Sequence, residues 1–584
     1  MMLDHLKAAC RAGQLSEIAL HFAEFVGRLE PNADDNVLLA AALASQSAVS
    51  GETCINLKDL AGNAVLQGKN DSEICAPKLS TWRAILVSSP SVSTGVESSL
   101  LALEDDRLYL SSYRDWEDRL AAAIRVYAEG PDIEIDQQLF NQELSALFPE
   151  DFLSVEQERA VVLSINRRFS VITGGPGTGK TTTVASLLAL LQCLQTIEPN
   201  QIALSAPTGK AAARLREVMA HVYEKLGLSS NLLPANSITM HRLLGRRSGE
   251  ILSRSHPDSP LPYRIIVVDE ASMVDLVMMT QLFEALPETS RLIILGDKDQ
   301  LASVEVGAVL GDICEVMNAG FLVQSVSVLR TSWRFGDESQ LSGLSAAIID
   351  GDTEQVYEAI NSTSQSNISR REILKHEEFA ENLRDHCISD YAKSIELVLE
   401  GASPETVFNE ISKMQVLAAH RTGPQSVEEI NQMVSMHLAD RGLIYPSDGW
   451  YPGRRVLITE NDYNLGLFNG DIGVTFRDNN PDVLKVVFPR PEGGWRSISP
   501  GRLPRHQTVY AMTVHKSQGS EYDRVIMVLP QTISPILTRS LLYTAVTRAI
   551  SKLEIWGSDE VLRTAIEADY KRTSGLQRRL IRDL

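Results

Sequence analysis

Residues Gly174-Gly175-Pro176-Gly177-Thr178-Gly179-Lys180-Thr181 fit the pattern GxxxxGK[ST]. They stand between a β-rich apolar run (FSVIT, 169–173) and a helical segment (KTTTVASLLALLQCLQ, 180–195). A strand, a glycine loop and a helix in this order leave a chain few alternatives. The glycines let backbone N–H groups surround phosphate oxygens, and the helix N-terminus favours anions. Lys180 is expected to reach the β and γ phosphates, and Thr181 to set its hydroxyl on Mg²⁺. The expected ligands are therefore a nucleoside triphosphate and Mg²⁺.

Such a loop needs a sheet, and the strands are legible. QIALSA (201–206), RIIVVDE (264–270) and RLIILGD (291–297) are short apolar runs flanked by helical or polar segments, as buried parallel strands require. Residues 151–335 read as an α/β unit with helices on both faces, opened by a helix at 154–166. A second unit, 336–584, begins with helical periods over 340–440. Within it, RRVLIT, DIGVTF and VLKVVF alternate between turn-rich stretches, which predicts a small antiparallel β module at 451–505. The α/β texture returns with YAMTVHK (510–516) and RVIMVLP (524–530).

Residues 1–150 read as helices with short loops. Ile18, Leu20, Phe22, Phe25 and Val26, and later Leu120, Ala123, Ile124 and Tyr127, recur at helical spacing. The Ser-rich stretch 88–99 reads as a loop, and 106–120 as a strand packed under a helix. A length of 584 residues suits about four domains at ~150 residues each. The early charges and the lack of any run of about 18 apolar residues argue against a signal peptide or membrane span. Six scattered cysteines suggest neither a disulfide framework nor a zinc site, so the expected compartment is a reducing cytoplasm. The net charge of −20 speaks against a protein that coats duplex DNA by general electrostatics. That charge is uneven. Residues 1–150 hold 23 acids against 11 bases, the rest 52 against 44, which leaves room for a local basic groove.

Two further strand ends carry chemistry. Asp269 can hold Mg²⁺ through water, while Glu270 can orient and deprotonate an attacking water. Gln300, in Gly296-Asp297-Lys298-Asp299-Gln300, can sense a γ-phosphate, although by spacing alone this is equally a plain loop. Arg334 and Arg548 are candidates to offset γ-phosphate charge, an effect worth about 10³–10⁵ in rate; without further context each reads as a surface ion pair.

In order, these blocks resemble the superfamily-1 helicases. Gln157 matches the adenine-reading glutamine, and SAPTGKAAARL (205–215) the segment that touches single-stranded DNA. VVDEASMVD (267–275), GDKDQLASVEVG (296–307), SWRF (332–335), TVHKSQGSEYD (513–523) and LLYTAVTRA (541–549) match the later motifs. The wording is closer still to the RecD family, the alpha subunits of exodeoxyribonuclease V (RecBCD). APTGKAAARL, NDYNLGLFNGDIG (461–473) and HKSQGSEYD are similar to that family. DRLYLSSYRDWE (106–117) looks like its N-terminal segment, departing from the usual RYW.

The resemblance implies two RecA-like P-loop domains, a mainly helical N-terminal domain that docks partners, and an SH3-like insertion at about 451–505. It implies a 5′→3′ single-stranded DNA translocase within a heterotrimer of RecB-like and RecC-like subunits that processes double-strand ends for recombinational repair. Lys180, Thr181, Asp269, Glu270 and Gln300 would lie on one side of the ATP, with Arg334 and Arg548 arriving on cleft closure. Pro207, Thr208, Lys210, His241, Thr513, His515 and Lys516 would grip DNA, and 245–263 would hold a hairpin pin. For each grip residue, capping its own helix is an equal alternative. A stand-alone helicase of the longer RecD-like group would need N-terminal helix-hairpin-helix elements, which 1–150 does not display. A purely structural nucleotide-binding subunit would not need Lys180, Glu270, Arg334 and Arg548 intact. Beyond the Mg·ATP site no carboxylate cluster suggests a nuclease, so nuclease activity is expected of a partner.

Overall fold

The computed structural model describes residues 2–581 apart from 69–71, 96–98, 150–151, 196, 246–254, 257, 319, 334–339, 362–366, 446–448, 463, 479–482 and 491–492. Arg334 and most of the expected pin, 245–263, thus lie outside the described residues.

The first 110 residues open with the helices Met2–Arg11, Glu17–Leu29 and Asp35–Val49; Ser16 and Asp34 cap the last two through Ala19 N and Asn36 N. Strands follow that the helical reading did not foresee, except at 107–110, within the segment 106–120 expected to hold a strand packed under a helix. β1 (Cys54–Asn56) pairs with later strands, β2 (Ala64–Gln67) and β3 (Glu73–Cys75) form their own antiparallel pair, and β4 (Val92–Ser93), β5 (Leu101–Glu104) and β6 (Arg107–Leu110) complete a sheet ordered β1-β6-β5-β4. Strands of two to four residues are too short for alternation to register.

β6 runs directly into the helix Ser111–Ala128. This helix packs on the first α/β unit: Leu120, Ala121 and Ile124 share a core with Met279, Phe283 and Leu286. The Tyr127 and Phe283 rings meet edge-on at 6.0 Å, and Arg119 pairs with Glu284 at 2.7 Å. The helix Gln137–Leu147 likewise sends Phe140 into a core with Val184 and Leu188. Residues 111–147 are therefore built onto the α/β unit.

That unit carries β7 (Phe169–Gly174), β8 (Ile202–Ala206), β9 (Asn236–Thr239), β10 (Ile265–Val268), β11 (Arg291–Gly296) and β12 (Val326–Leu329), in the order β12-β7-β11-β10-β8-β9, every adjacent pair parallel. Every residue of β7, β8, β10 and β11 is buried, which is why these segments read as unbroken apolar runs. Because β11 lies between β7 and β10, the loops leaving their carboxyl ends converge: the glycine loop, 297–300 and 269–270.

The second unit holds β13 (Ile368–Arg371) and β14 (Met414–Ala418). Between β14 and the rest comes a module of β15 (Arg455–Ile458), β16 (Ile472–Arg477), β17 (Leu484–Pro489), β18 (Trp495–Ile498) and β19 (His506–Thr508), all antiparallel, ordered β18-β17-β16-β15-β19. β20 (Ala511–Thr513), β21 (Tyr522–Val528) and β22 (Ala549–Trp556) then complete a parallel sheet β13-β22-β21-β14-β20. Glu554 of β22 is buried beside Arg524 of β21 at 2.7 Å. Burial pushes its pKa up, but the charge and hydrogen bonds of Arg524 outweigh it and hold the carboxylate at about 2.

After the helix Asp559–Glu567 the chain leaves the second unit and returns as a strap, 570–581, across the first unit and the N-terminal sheet. The Tyr570 hydroxyl donates to Glu52 at 2.7 Å, Thr53 N to Thr573 O at 3.2 Å, and Gln577 to Asp312 at 2.9 Å. Arg579 pairs with Glu104 and Asp118 at 2.6 Å and with the fully buried Glu117 at 3.1 Å. Leu576 and Leu580 sit in the same core as Leu120 and Phe283. Among the described residues no helix is long and apolar enough to cross a membrane, and no three His, Cys, Asp or Glu side chains form a metal-sized cluster.

Candidate active site between two parallel sheets

The glycine loop leaves β7 and enters the helix Lys180–Gln195. Gly177 and Gly179 take φ of 76° and 83°. A Cβ on Gly179 would stand 2.1 Å from Gln157 Nε2, so only glycine fits there. The Lys180 ammonium donates to Gly174 O at 2.7 Å and Gly175 O at 2.9 Å, so it lies folded over the loop. Thr181 follows in the first turn of the helix. These features fit a phosphate cradle: closely approached backbone, a mobile-stemmed cation at its centre, and a hydroxyl for magnesium.

Gln157 is buried, and its amide is engaged by the protein. Its Oε1 accepts from Ser154 N at 2.9 Å in a capping box, and its Nε2 donates to Thr178 O at 3.3 Å. It ties the helix Val155–Ile165 to the loop. The strip 330–333 is laced on as well: Glu156 accepts from Arg330 N and Thr331 N at 2.8 and 3.1 Å, and Trp333 N donates to Gly177 O at 2.8 Å.

Asp269 and Glu270 follow β10. Burial, then the neighbouring Glu270 charge, raise the Asp269 pKa well above the usual carboxylate range, against the opposing pull of Lys180 and Arg214. A divalent cation would reverse that balance. Glu270 has φ 52° and ψ 41°, the left-handed region, uncommon for a residue with a Cβ. The expected base thus stands on strained backbone, which costs on the order of 1–3 kcal/mol.

From β11, Asp297 is buried and receives Gln300 Nε2 at 3.0 Å and the Tyr543 hydroxyl at 2.9 Å. Its pKa is raised, burial outweighing Lys180 and these hydrogen bonds. Gln300 Oε1 is buried and has no hydrogen-bond partner among the described residues, an acceptor open to a water or ligand. Tyr543 belongs to the helix Arg539–Val546 of the second unit, and its hydroxyl would lie 3.0 Å from a Cβ on Gly175. Leu301 N donates to Thr544 Oγ1 at 2.9 Å, and Gln518 Nε2 to Leu301 O at 3.0 Å. Asp297, Tyr543, Thr544 and Gln518 were given no role on sequence. The available signal was a tyrosine on a buried helix face, whose hydroxyl needs a partner.

Arg548 is 3% exposed and donates to Thr544 O, Ser520 O and Thr547 Oγ1 at 3.1–3.3 Å. Among the described residues its partners are all neutral oxygens, so it is a buried cation rather than a surface ion pair.

The expected grip residues stand at strand ends. Pro207 and Thr208 follow β8, and Thr208 caps the helix Gly209–Lys225 through Ala211 N at 3.2 Å. His241 lies in the short helix Met240–Leu243 after β9. Thr513 ends β20 and accepts from Lys516 N at 3.4 Å, with His515 and Lys516 in the turn that follows. Thr208 and Thr513 thus each make the local cap that is the alternative to a grip. Lys210 is exposed as a residue, but its ammonium donates to Ser520 Oγ at 2.8 Å, and burial of that group, then the charge of Arg214, lowers its pKa to about 8. Arg214 pairs with Glu521 at 2.8 Å, and the Phe468 ring of the β module lies against Gly209. The structure therefore brings 207–214, 468–471 and 518–521 together across the two units.

Fold and candidate site together fit a P-loop ATPase of the helicase class, with the candidate nucleotide side chains divided between two parallel sheets. Residues 11–109 match the family model described as the N-terminal domain of RecBCD enzyme subunit RecD, 157–306 an AAA domain, and 508–555 a UvrD-like helicase C-terminal domain. The chain is 39% identical over 590 residues to the RecBCD enzyme subunit RecD of Mycobacterium tuberculosis H37Rv, covering 98% of this chain and 96% of that one. It is 34% identical to the same subunit of Haemophilus influenzae, covering 83% and 81%. An ATP-dependent RecD2 DNA helicase of Deinococcus radiodurans is 29% identical over 73% of this chain and 52% of its own. Among solved structures, a Bacteroides Pif1 bound to single-stranded DNA is similar at 17% identity and a TM-score of 0.41, covering 71% of this chain and 94% of that one. The chain belongs to the RecD family of RecBCD enzyme subunits.

Proposed function

We propose that this protein is the 5′→3′ single-stranded DNA translocase of a RecBCD-type helicase–nuclease, assembled in the cytoplasm with RecB-like and RecC-like subunits at double-strand DNA ends. The observation that carries the motor reading is that Tyr543 and Thr544, on the helix that leads to the buried Arg548, bond Asp297 and Leu301 on either side of Gln300, whose Oε1 has no partner among the described residues. A structural nucleotide site needs no such set.

In this reading the two units are RecA-like and the module 455–508 is the SH3-like insertion. Lys180 turns from the loop carbonyls to the β and γ phosphates. Thr181 and Asp269 would hold Mg²⁺, which supplies charge neutralisation between the phosphates. Gln300 orients the attacking water, Glu270 takes its proton, and Arg548, with Arg334, stabilises charge developing on the γ-phosphoryl group. Tyr543 and Thr544, bonded to Asp297 and Leu301, carry closure of the cleft into the second unit. Residues 207–210 and 513–516 then change separation and ratchet the strand, binding phosphates without reading bases. The work is modest, since a base-pair step averages about 1.4 kcal/mol of stacking.

The test is ATPase rate with and without single-stranded DNA, for wild type and Lys180→Gln, alone and mixed with RecB-like and RecC-like partners. DNA-stimulated hydrolysis that Lys180→Gln abolishes is expected. Displacement of streptavidin from a 3′ rather than a 5′ biotinylated end reports direction. Hydrolysis indifferent to DNA in every mixture would rule out the motor.

A further inference from the structure

Arg572 lies in the strap, outside every block that marks the helicase motifs. Its guanidinium spans the loop that begins with Asp297 and Gln300: Nη2 donates to Ser303 O at 2.6 Å, and Nη1 to Glu305 O at 2.9 Å and Gly307 O at 3.0 Å. Ser303 is buried, and its hydroxyl donates to Glu305 O and Gly307 O as well, so the turn is fixed from both sides. The N-terminal unit closes the same junction. Gly307 N donates to Gly51 O at 2.9 Å, and Gly51, at φ 87°, leaves the space the guanidinium fills; a Cβ there would stand 2.5 Å from Arg572 Cζ.

The other end of this loop belongs to the motor. Gln300 is bonded to Asp297, and Leu301 is bonded to Thr544 and Gln518 of the second unit. The Arg572 charge also reaches His515, whose pKa is lowered by burial and then by this cation. Arg572 therefore fixes one end of the loop that carries Gln300, while Gln518, directly after the expected DNA-gripping turn, bonds Leu301 at its other end. A planar fork bonded to three carbonyls is specific to arginine; lysine offers a point charge with no fixed geometry.

We propose that Arg572 is a positioning residue for coupling: by fixing residues 303–307 it lets a shift of the 513–516 turn on single-stranded DNA move Gln300 rather than dissipate in a loose loop. This rests on the motor reading above. It assigns the strap and the Gly51 corner of the N-terminal unit a part in the DNA response of the ATPase.

The experiment compares full-length wild type, Arg572→Met, Arg572→Lys and Gly51→Ala, in the subunit mixture where wild type responds to oligo(dT). The readouts are basal and stimulated kcat, KM for ATP and Tm. Coupling between sites commonly amounts to about 5–150-fold, so Arg572→Met is expected to cut the ratio of stimulated to basal kcat by about tenfold. KM for ATP should stay within about twofold, with Arg572→Lys intermediate. Gly51→Ala, which displaces the guanidinium without removing it, should reproduce the loss and decides the matter if Arg572→Met does not fold. A merely structural role would lower basal and stimulated rates together and leave their ratio intact, and that result overturns the proposal. A wild type with no response to oligo(dT) in any mixture instead overturns the motor reading, and the proposal with it.

Discussion

Replacing Glu270 by glycine and by alanine separates what its side chain does from what its backbone costs. Both variants remove the carboxylate, and both relieve the repulsion that helps raise the Asp269 pKa. They differ in φ/ψ freedom alone. At φ 52° and ψ 41° a residue with a Cβ carries about 1–2 kcal/mol of strain that glycine does not. Glycine forfeits part of this because its unfolded chain is freer, by about 0.4–1 kcal/mol. The balance leaves Glu270→Gly about 1 kcal/mol more stable than Glu270→Ala. In a domain of 150–250 residues that is about 2–4 °C in Tm. Differential scanning calorimetry of the two variants side by side measures this, and ATPase assays on the same samples should show kcat reduced by about 10²–10⁴ in both, as expected for a lost general base. If Glu270→Ala melts at or above Glu270→Gly, the left-handed backbone is not a stored cost. If either variant keeps wild-type turnover, Glu270 is not the base.

Arg548→Met should lower stimulated kcat by about 10³ while ATP binding, followed with a fluorescent analogue, persists, because the arginine bonds only neutral oxygens within the protein. Tyr543→Phe removes one donor from the buried Asp297, and a hydrogen bond to a charged group is worth about 1.5–3 kcal/mol; stimulated turnover should fall roughly tenfold or more, and no fall would show that the two units are coupled elsewhere. The Glu554 carboxylate, held near 2 against 4.5 in its ordinary state, contributes stability that is complete above pH 4.5 and is lost as pH falls from there toward 2. The Tm of Glu554→Gln should therefore be lower at pH 6 and less steep below pH 4.5 than that of wild type, and parallel profiles would contradict the assignment.

The nucleotide half of the site was legible because its chemistry is local. A cradle must be contiguous, so Gly174–Thr181 announce themselves, and Asp269 and Gln300 stand at the ends of apolar runs that have to be buried strands. The antiparallel module was legible by its alternation and β20 and β21 as apolar runs, whereas β13 and β14 lie within 340–440, where helical periods dominate the pattern, and β22 went unread. What stayed hidden depends on partners far away in the chain. Tyr543 meets Asp297 across 246 positions, and nothing near either residue encodes the other. The N-terminal strands other than β6 were hidden by brevity. The helix at 111–128 was visible, but its destination was not, since an apolar stripe does not say which core will receive it. Arg548 read as an ordinary surface residue because a sequence shows no depth.

The strap also sets an order of assembly. Leu576 and Leu580 complete a core begun by Leu120, Phe169 and Phe283, and Arg579 neutralises the buried Glu117 from 462 positions downstream. On the ribosome, the first α/β unit and the N-terminal sheet are finished long before these residues exist. Until then the seam between them lacks its last apolar side chains, and Glu117 has no cation bonded to it. Such long-range closure is slow and leaves apolar surface exposed meanwhile. Because 570–581 is made after both sheets and closes the first unit's core, a nascent chain stalled after the second sheet would present chaperones with two well-formed units and one open seam.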